Sequence, residues 1–162
     1  RSTPLYSSAA SDVYKRQAWG SSIAMELNKK AALNLSLTKN YDTLSRNLNL
    51  DIEIEYLEKG NINQQLVVYL VEDSIINWQK WYGHIPENVP DFAHRHVLRK
   101  SLNGTWGDRL SGSVKSAGQI ISKSFTTTIS SKYKQKKCYI VAFVQNNLTK
   151  EVLQVEEIKL IE

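Results

Sequence analysis

Leu48-Asn49-Leu50-Asp51-Ile52-Glu53-Ile54-Glu55-Tyr56 alternates apolar and polar side chains without a break. Successive side chains of an extended chain point to opposite faces. Leu48, Leu50, Ile52, Ile54 and Tyr56 therefore share one side, and Asn49, Asp51, Glu53 and Glu55 share the other. On a helix the same residues would be scattered round the axis. A strand of this kind belongs to an antiparallel sheet that shows one face to a core and the other to water.

Further strands are predicted on both sides of it. In Ala31–Thr38, Ala31, Leu33, Leu35 and Leu37 alternate with polar residues, and Glu58-Lys59-Gly60-Asn61 turns the chain after Tyr56. Leu66–Val71 (LVVYLV) and Cys138–Val144 (CYIVAFV) are apolar on both faces, the mark of central strands covered on each side. His94–Leu102 and Gln119–Ile129 follow the strand pattern, the latter with Ile121, Phe125, Thr127 and Ile129 on one face. Asn146–Lys150 turns into Glu151–Ile161, whose inward set changes from Leu153 and Val155 to Ile158 and Leu160. Glu156-Glu157 fits a bulge there. About seven strands with turns between them predict a mainly β fold, an immunoglobulin-like antiparallel β-sandwich over residues 31–162. The segment Ser74–Phe92 departs from the pattern. Ile75, Ile76, Trp78, Gln79, Trp81 and Tyr82 predict a short helical excursion near 74–82, ended by Pro86 and Pro90 and capping one end of the sandwich.

The N-terminal segments read differently. In Ala18–Lys30, Trp19, Ile23 and Leu27 repeat at a spacing of four and lysines close the run, as at the end of a helix. Asp12-Val13-Tyr14-Lys15-Arg16-Gln17 reads back through the code as GAT GTG TAT AAG AGA CAG, the mosaic end of a transposase sequencing adapter. Ser7-Ser8-Ala9-Ala10-Ser11 fits the adjoining adapter arm in the same frame. Residues 1–17 are therefore expected to be a non-native, disordered leader and are set aside from the fold.

Composition narrows the function classes. Of the 162 residues, the leader holds Arg1, Lys15, Arg16 and Asp12, so the net charge of +5 falls to +3 without it. The remaining basic residues alternate with acids and hydroxyls and form no stripe interleaved with aromatics, so a nucleic-acid partner is not expected. No apolar run is long enough for a helix to span a bilayer. The single cysteine, Cys138, excludes an internal disulfide and any multi-cysteine metal motif, and its apolar strand predicts a buried small hydrophobe.

Few residues point to chemistry. His94 and His96 stand two apart, on one side of a predicted strand, and His84 lies ten residues earlier. Together they are the candidate metal set, lacking an evident fourth ligand. The competing and preferred reading has these rings hydrogen-bonded to loop backbone at one end of the sandwich, with no metal and no cofactor. Glu72-Asp73 closes an apolar strand, where a carboxylate commonly caps the turn that follows. Ser122–Ser131 reads as a solvated strand face, and no nucleophile elbow or phosphate-cradling glycine loop is present. No catalytic residues are assigned. Trp78, Trp81 and Trp106 are the candidate binding surface, with a sugar platform as one use. Trp106, set among Gly104 and Gly107, is expected to plug the edge of the core.

An ordered set of segments then carries a resemblance. Leu66–Asp73 is followed by Ser74-Ile75-Ile76 and Gln79, by His94-Arg95-His96-Val97-Leu98-Arg99 and by Gly104-Thr105-Trp106-Gly107. Tyr139–Val144 and Glu151-Val152-Leu153-Gln154 complete it. Their order and wording resemble the C-terminal half of the 28-kilodalton outer-membrane protein family of Gram-negative bacteria. The resemblance implies an exported lipoprotein at the outer membrane or cell surface, with a thioredoxin-like domain ahead of a β-sandwich. Residues 18–30 would be the terminal helix of that missing domain, and membrane attachment would come only through a lipid anchor outside this fragment. The expected function is a non-catalytic cell-envelope module that binds or supports a partner domain, its own thioredoxin-like domain or another envelope protein. The alternatives are an accessory domain of a thioredoxin-like redox protein and a histidine-based metal site.

Overall fold

The computed structural model describes residues 19–110 and 112–162, so the adapter-like leader 1–17 lies outside the described residues. Two units are present, divided at Lys30 and Ala31. The first contains helix α1, residues 19–27. Asn28 donates its amide to the Ala24 carbonyl, Lys29 pairs with Glu26, and Trp19, Ile23 and Leu27 are exposed.

The second unit holds ten strands among the described residues. They are β1 (Leu33–Tyr41), β2 (Asn47–Tyr56), β3 (Gln64–Glu72), β4 (Ile75–Lys80), β5 (Asn88–His94), β6 (Val97–Ser101), β7 (Asp108–Arg109), β8 (Ile120–Thr128), β9 (Cys138–Asn146) and β10 (Val152–Lys159). One sheet runs β1-β2-β8. The other runs β10-β9-β3-β6, with the short β7 on the same edge of β3 beyond β6. Every pairing is antiparallel. The seven strands apart from β4, β5 and β7 correspond to those predicted from the sequence, β3 and β9 among them as the runs apolar on both faces. Their pairing, second between first and eighth, third between ninth and sixth, is that of an immunoglobulin-like sandwich.

Burial along β2 alternates strictly, residue by residue. Leu48, Leu50, Ile52 and Ile54 meet Leu66, Val68 and Leu70 of β3 and Ile140, Ala142 and Val144 of β9 in one core, with Leu33, Leu110, Ile129 and Leu160 closing it. Each such aliphatic side chain contributes about 1.5–3 kcal/mol on burial. Two polar side chains buried at the edge of this core, Tyr56 and Glu72, are paired, whereas the Gln65 amide nitrogen, also buried, has no hydrogen-bond partner among the described residues. The Tyr56 hydroxyl donates to the Gln64 amide oxygen at 2.9 Å, and burial pushes its pKa up to about 12. Glu72, almost fully buried, accepts from Arg99 Nε at 2.7 Å and from the Lys134 backbone N–H at 3.0 Å. The Arg99 guanidinium lies over the Tyr133 ring. Arg46, in a left-handed turn residue at φ 60°, donates to the carbonyls of Ile129, Ser130 and Tyr133 and so ties the β1–β2 turn to the segment after β8.

Three expectations are corrected. The segment 74–82 is not helical: β4 pairs with β5 as a hairpin, interrupted where Trp78 stands opposite Pro90 and Asp91. Pro90 has no N–H to give to a ladder, which accounts for the irregularity at this point. The strand expected over His94–Leu102 is broken, because His96 turns left-handed at φ 48° and separates β5 from β6. The bulge of β10 lies between Val152 and Gln154, ahead of Glu156-Glu157. It leaves Leu153, Ile158 and Leu160 toward the core and Val155 exposed.

Candidate functional site

Alternation along β3 and β9 sends one set of side chains into the core and the other to the outer face of the sheet. That outer set is Val67, Tyr69 and Val71 on β3, paired in register with Phe143, Val141 and Tyr139 on β9. Val67 and Val71 are buried, whereas Tyr69, Tyr139, Val141 and Phe143 are half-buried. The Tyr69 and Phe143 rings meet edge to face at 5.5 Å. Exposed Leu98 and Val155 extend the patch to β6 and β10. The result is an apolar patch on the side of the sheet away from the core, bordered on β10 by Glu157 and Lys159, which face Val141 and Tyr139 in register.

The β4–β5 hairpin leaves this sheet through two left-handed residues, Ser74 (φ 57°) and His96 (φ 48°). L side chains rarely adopt that conformation, and it is held by a clasp. Asp73 Oδ1 accepts from the His96 backbone N–H at 2.6 Å and stands 3.1 Å from His96 Nδ1. Nε2 of the same ring lies 2.8 Å from Glu157 on β10, and the ring stacks on Tyr139 at 5.6 Å. Both nitrogens donate at once only when the ring carries both protons.

Beyond the clasp the hairpin presents a row of rings. His94 meets Phe92 at 4.9 Å, Phe92 meets Trp81 at 6.1 Å, and Trp81 stacks on His84 at 4.8 Å. His84 Nδ1 is 2.8 Å from the Pro86 carbonyl, the loop-backbone bond expected for such a ring. His94 packs on Phe92, and His96 belongs to the clasp, so the expected placement of His94 and His96 on one strand face is corrected by the turn at His96. Among the described residues no three or more His, Cys, Asp or Glu side chains are arranged to hold a metal ion.

Trp78 and Trp81 share the hairpin and are both about half exposed. Trp106 is elsewhere, in the loop between β6 and β7, with Lys150 Nζ 5.3 Å above its ring. The loop touches β3 at Leu66 and the hairpin follows Glu72, so six residue steps along the strand separate their attachment points by roughly 20 Å. The three tryptophans do not form one platform. Trp106 also does not plug the core, being 69% exposed. Gly107 makes the close approach instead. At φ 77° it lies against the Leu66 carbonyl, where any side chain would collide. Asn103 completes that contact, accepting from the Val68 N–H and donating to the Leu66 carbonyl as a neighbouring strand would.

Cys138 opens β9 inside the core, and burial, with the nearby Glu72 charge second, pushes its thiol up to about 11. It is the inert buried thiol that its strand predicts. Sequence spacing missed Asp73, Tyr139 and Glu157 as a set, since only the sheet register brings them together.

A family model described as outer membrane protein Omp28 matches residues 8–162. A solved domain of the outer membrane lipoprotein Omp28 from Porphyromonas gingivalis superimposes with a TM-score of 0.57. It is 21% identical, over 82% of this chain and 91% of that one, a likeness of fold. No curated protein matches the chain.

Proposed function

Since the chain belongs to the Omp28 outer membrane protein family, we propose that it is a non-catalytic module that docks a partner domain on the outer face of its β10-β9-β3-β6 sheet. Its address is the outer membrane or cell surface, and it is an envelope-associated module. The observation carrying the docking reading is the apolar set Tyr69, Tyr139, Val141 and Phe143, half-buried on the side of the sheet away from the core. A partner that covered it would gain the same kind of burial that holds the core together. The thioredoxin-like domain implied by the family resemblance is the proposed occupant. The groups most shifted by burial, Tyr56 and Cys138, are sealed inside the sandwich, which favours a supporting role over a catalytic one.

The test compares the chain with its Phe143→Lys variant by sedimentation and hydrophobic-dye fluorescence. The expected result is dye binding and self-association in the parent, both lost in the variant at an unchanged melting temperature. A parent that is strictly monomeric and dark to the dye would overturn the docking reading.

A further inference from the structure

The far end of the β4–β5 hairpin is Trp81-Tyr82-Gly83-His84-Ile85-Pro86, which contains no Asp, Glu, Lys or Arg. Ile85 is 95% and Tyr82 76% exposed, and Trp78 and Trp81 flank them on the same hairpin. β4 and β5 pack chiefly on each other, and their residues are absent from the core cluster. We propose that this tip enters the interfacial layer of a phospholipid leaflet, giving the module a membrane contact of its own besides any lipid anchor.

Four observations favour a bilayer over other partners. Trp and Tyr rings combine an apolar body with a polar edge and concentrate where headgroups meet acyl chains. The nearest charges, Lys80 and Glu87, close on each other at 3.9 Å at the base of the tip, outside the neutral segment. Lys80 Nζ also lies 4.7 Å over the Tyr82 ring, the posture of a cation kept at the water side while its neighbour goes deeper. The tip also satisfies part of its own backbone. Trp81 N–H donates to the Glu87 carbonyl, His84 N–H to the Trp81 carbonyl, and the His84 ring engages the Pro86 carbonyl. Groups already paired are not stripped of water when they leave it.

A sugar partner fits less well. Stacking uses the flat face of an aromatic ring, and one face of Trp81 is already taken by His84 while Phe92 meets Trp81 edge-on. A protein partner would need a groove shaped to this protrusion, whereas a fluid leaflet accommodates it without one.

The experiment mixes the chain with vesicles of phosphatidylethanolamine and phosphatidylglycerol and reads co-sedimentation and quenching of tryptophan by brominated lipid. The double variant Tyr82→Ser, Ile85→Ser is expected to weaken partition by about tenfold or more. Both residues are highly exposed, so its melting temperature should match the parent. Partition should persist in high salt, because no cluster of charge drives it. Absent partition, partition abolished by salt, or a double variant that binds as well as the parent would each overturn the proposal. Loss of binding on Trp19→Ser, Leu27→Ser with the tip intact would transfer it to α1 and overturn the proposal equally. The Phe143→Lys variant separates this inference from sheet-face docking, since it should bind vesicles as the parent does.

Discussion

Tyr56 and Cys138 are neutral groups sealed among aliphatic side chains, and both are harder to ionise folded than unfolded. The Cys138 thiol is moved from 9.0 to about 11 and the Tyr56 phenol from 10.0 to about 12, in each case chiefly by burial. Below the unfolded values neither group weakens the fold. As pH rises past them the unfolded chain loses protons first, so stability falls until the folded values are passed. Denaturant midpoints measured from pH 8 to 12 should therefore decline from about pH 9. Cys138→Ala should remove the thiol's share, on the order of 2 kcal/mol, between pH 9 and 11. A flat profile through that range would contradict the sealed-core description. Folded protein at pH 8 should likewise resist thiol alkylation until denaturant is added.

Among the elements, the hairpin depends most on a few contacts. Asp73 supplies the acceptor for the His96 backbone and faces its ring, so Asp73→Ala removes one side of the clasp. Hydrogen exchange in β4 and β5 should accelerate by about tenfold, equivalent to a lost charge-assisted bond, while exchange in β2 and β9 stays as it was. Equal acceleration everywhere would show that the clasp stabilises the whole sandwich. The hairpin is also where sequence reading failed, for a physical reason. In β2 one face is wholly buried, so alternation is enforced at every position from Asn47 to Tyr56 and can be read directly. In β4 neither face is buried in the core, and the break at Trp78 shifts the period, leaving Ile75, Trp78 and Tyr82 to imitate a helical stripe. His94 and His96, two apart, looked like one face of one strand. The left-handed turn between β5 and β6 is set by Asp73 and Glu157, residues 23 and 61 positions away. The tryptophans of the hairpin were legible as surface candidates, whereas the fate of Trp106 depended on Gly107 and Asn103 holding its loop against β3.

At the scale of the molecule, both sheets share one core, and Ile52 lies near its centre with no exposed surface. Ile52→Ala should lower stability by about 2–5 kcal/mol. The loss should appear in one cooperative transition, with circular dichroism and near-ultraviolet signals coinciding. Separate transitions for the two signals would mean that the sheets unfold independently. The envelope address adds a constraint, because one sheet face is polar, carrying Asn49, Asp51, Glu53 and Glu55, and the other is the apolar set around Phe143. The module therefore has a wet side and a side suited to being covered.

Glu72 and Val97 are paired neighbours, so the hairpin leaves and re-enters the sheet at the same spot. A single cut at Gly83 would divide the polypeptide into a piece carrying β1, β2 and β3 and a piece carrying β6 to β10. Neither piece could form a sandwich alone: β2 needs β8 at its side, and β3 lies between β9 and β6. The two pieces interlock through both sheets. The continuity of the chain at Gly83 is thus dispensable to the architecture, and the molecule is, in effect, a pair of complementary halves joined by a replaceable strap.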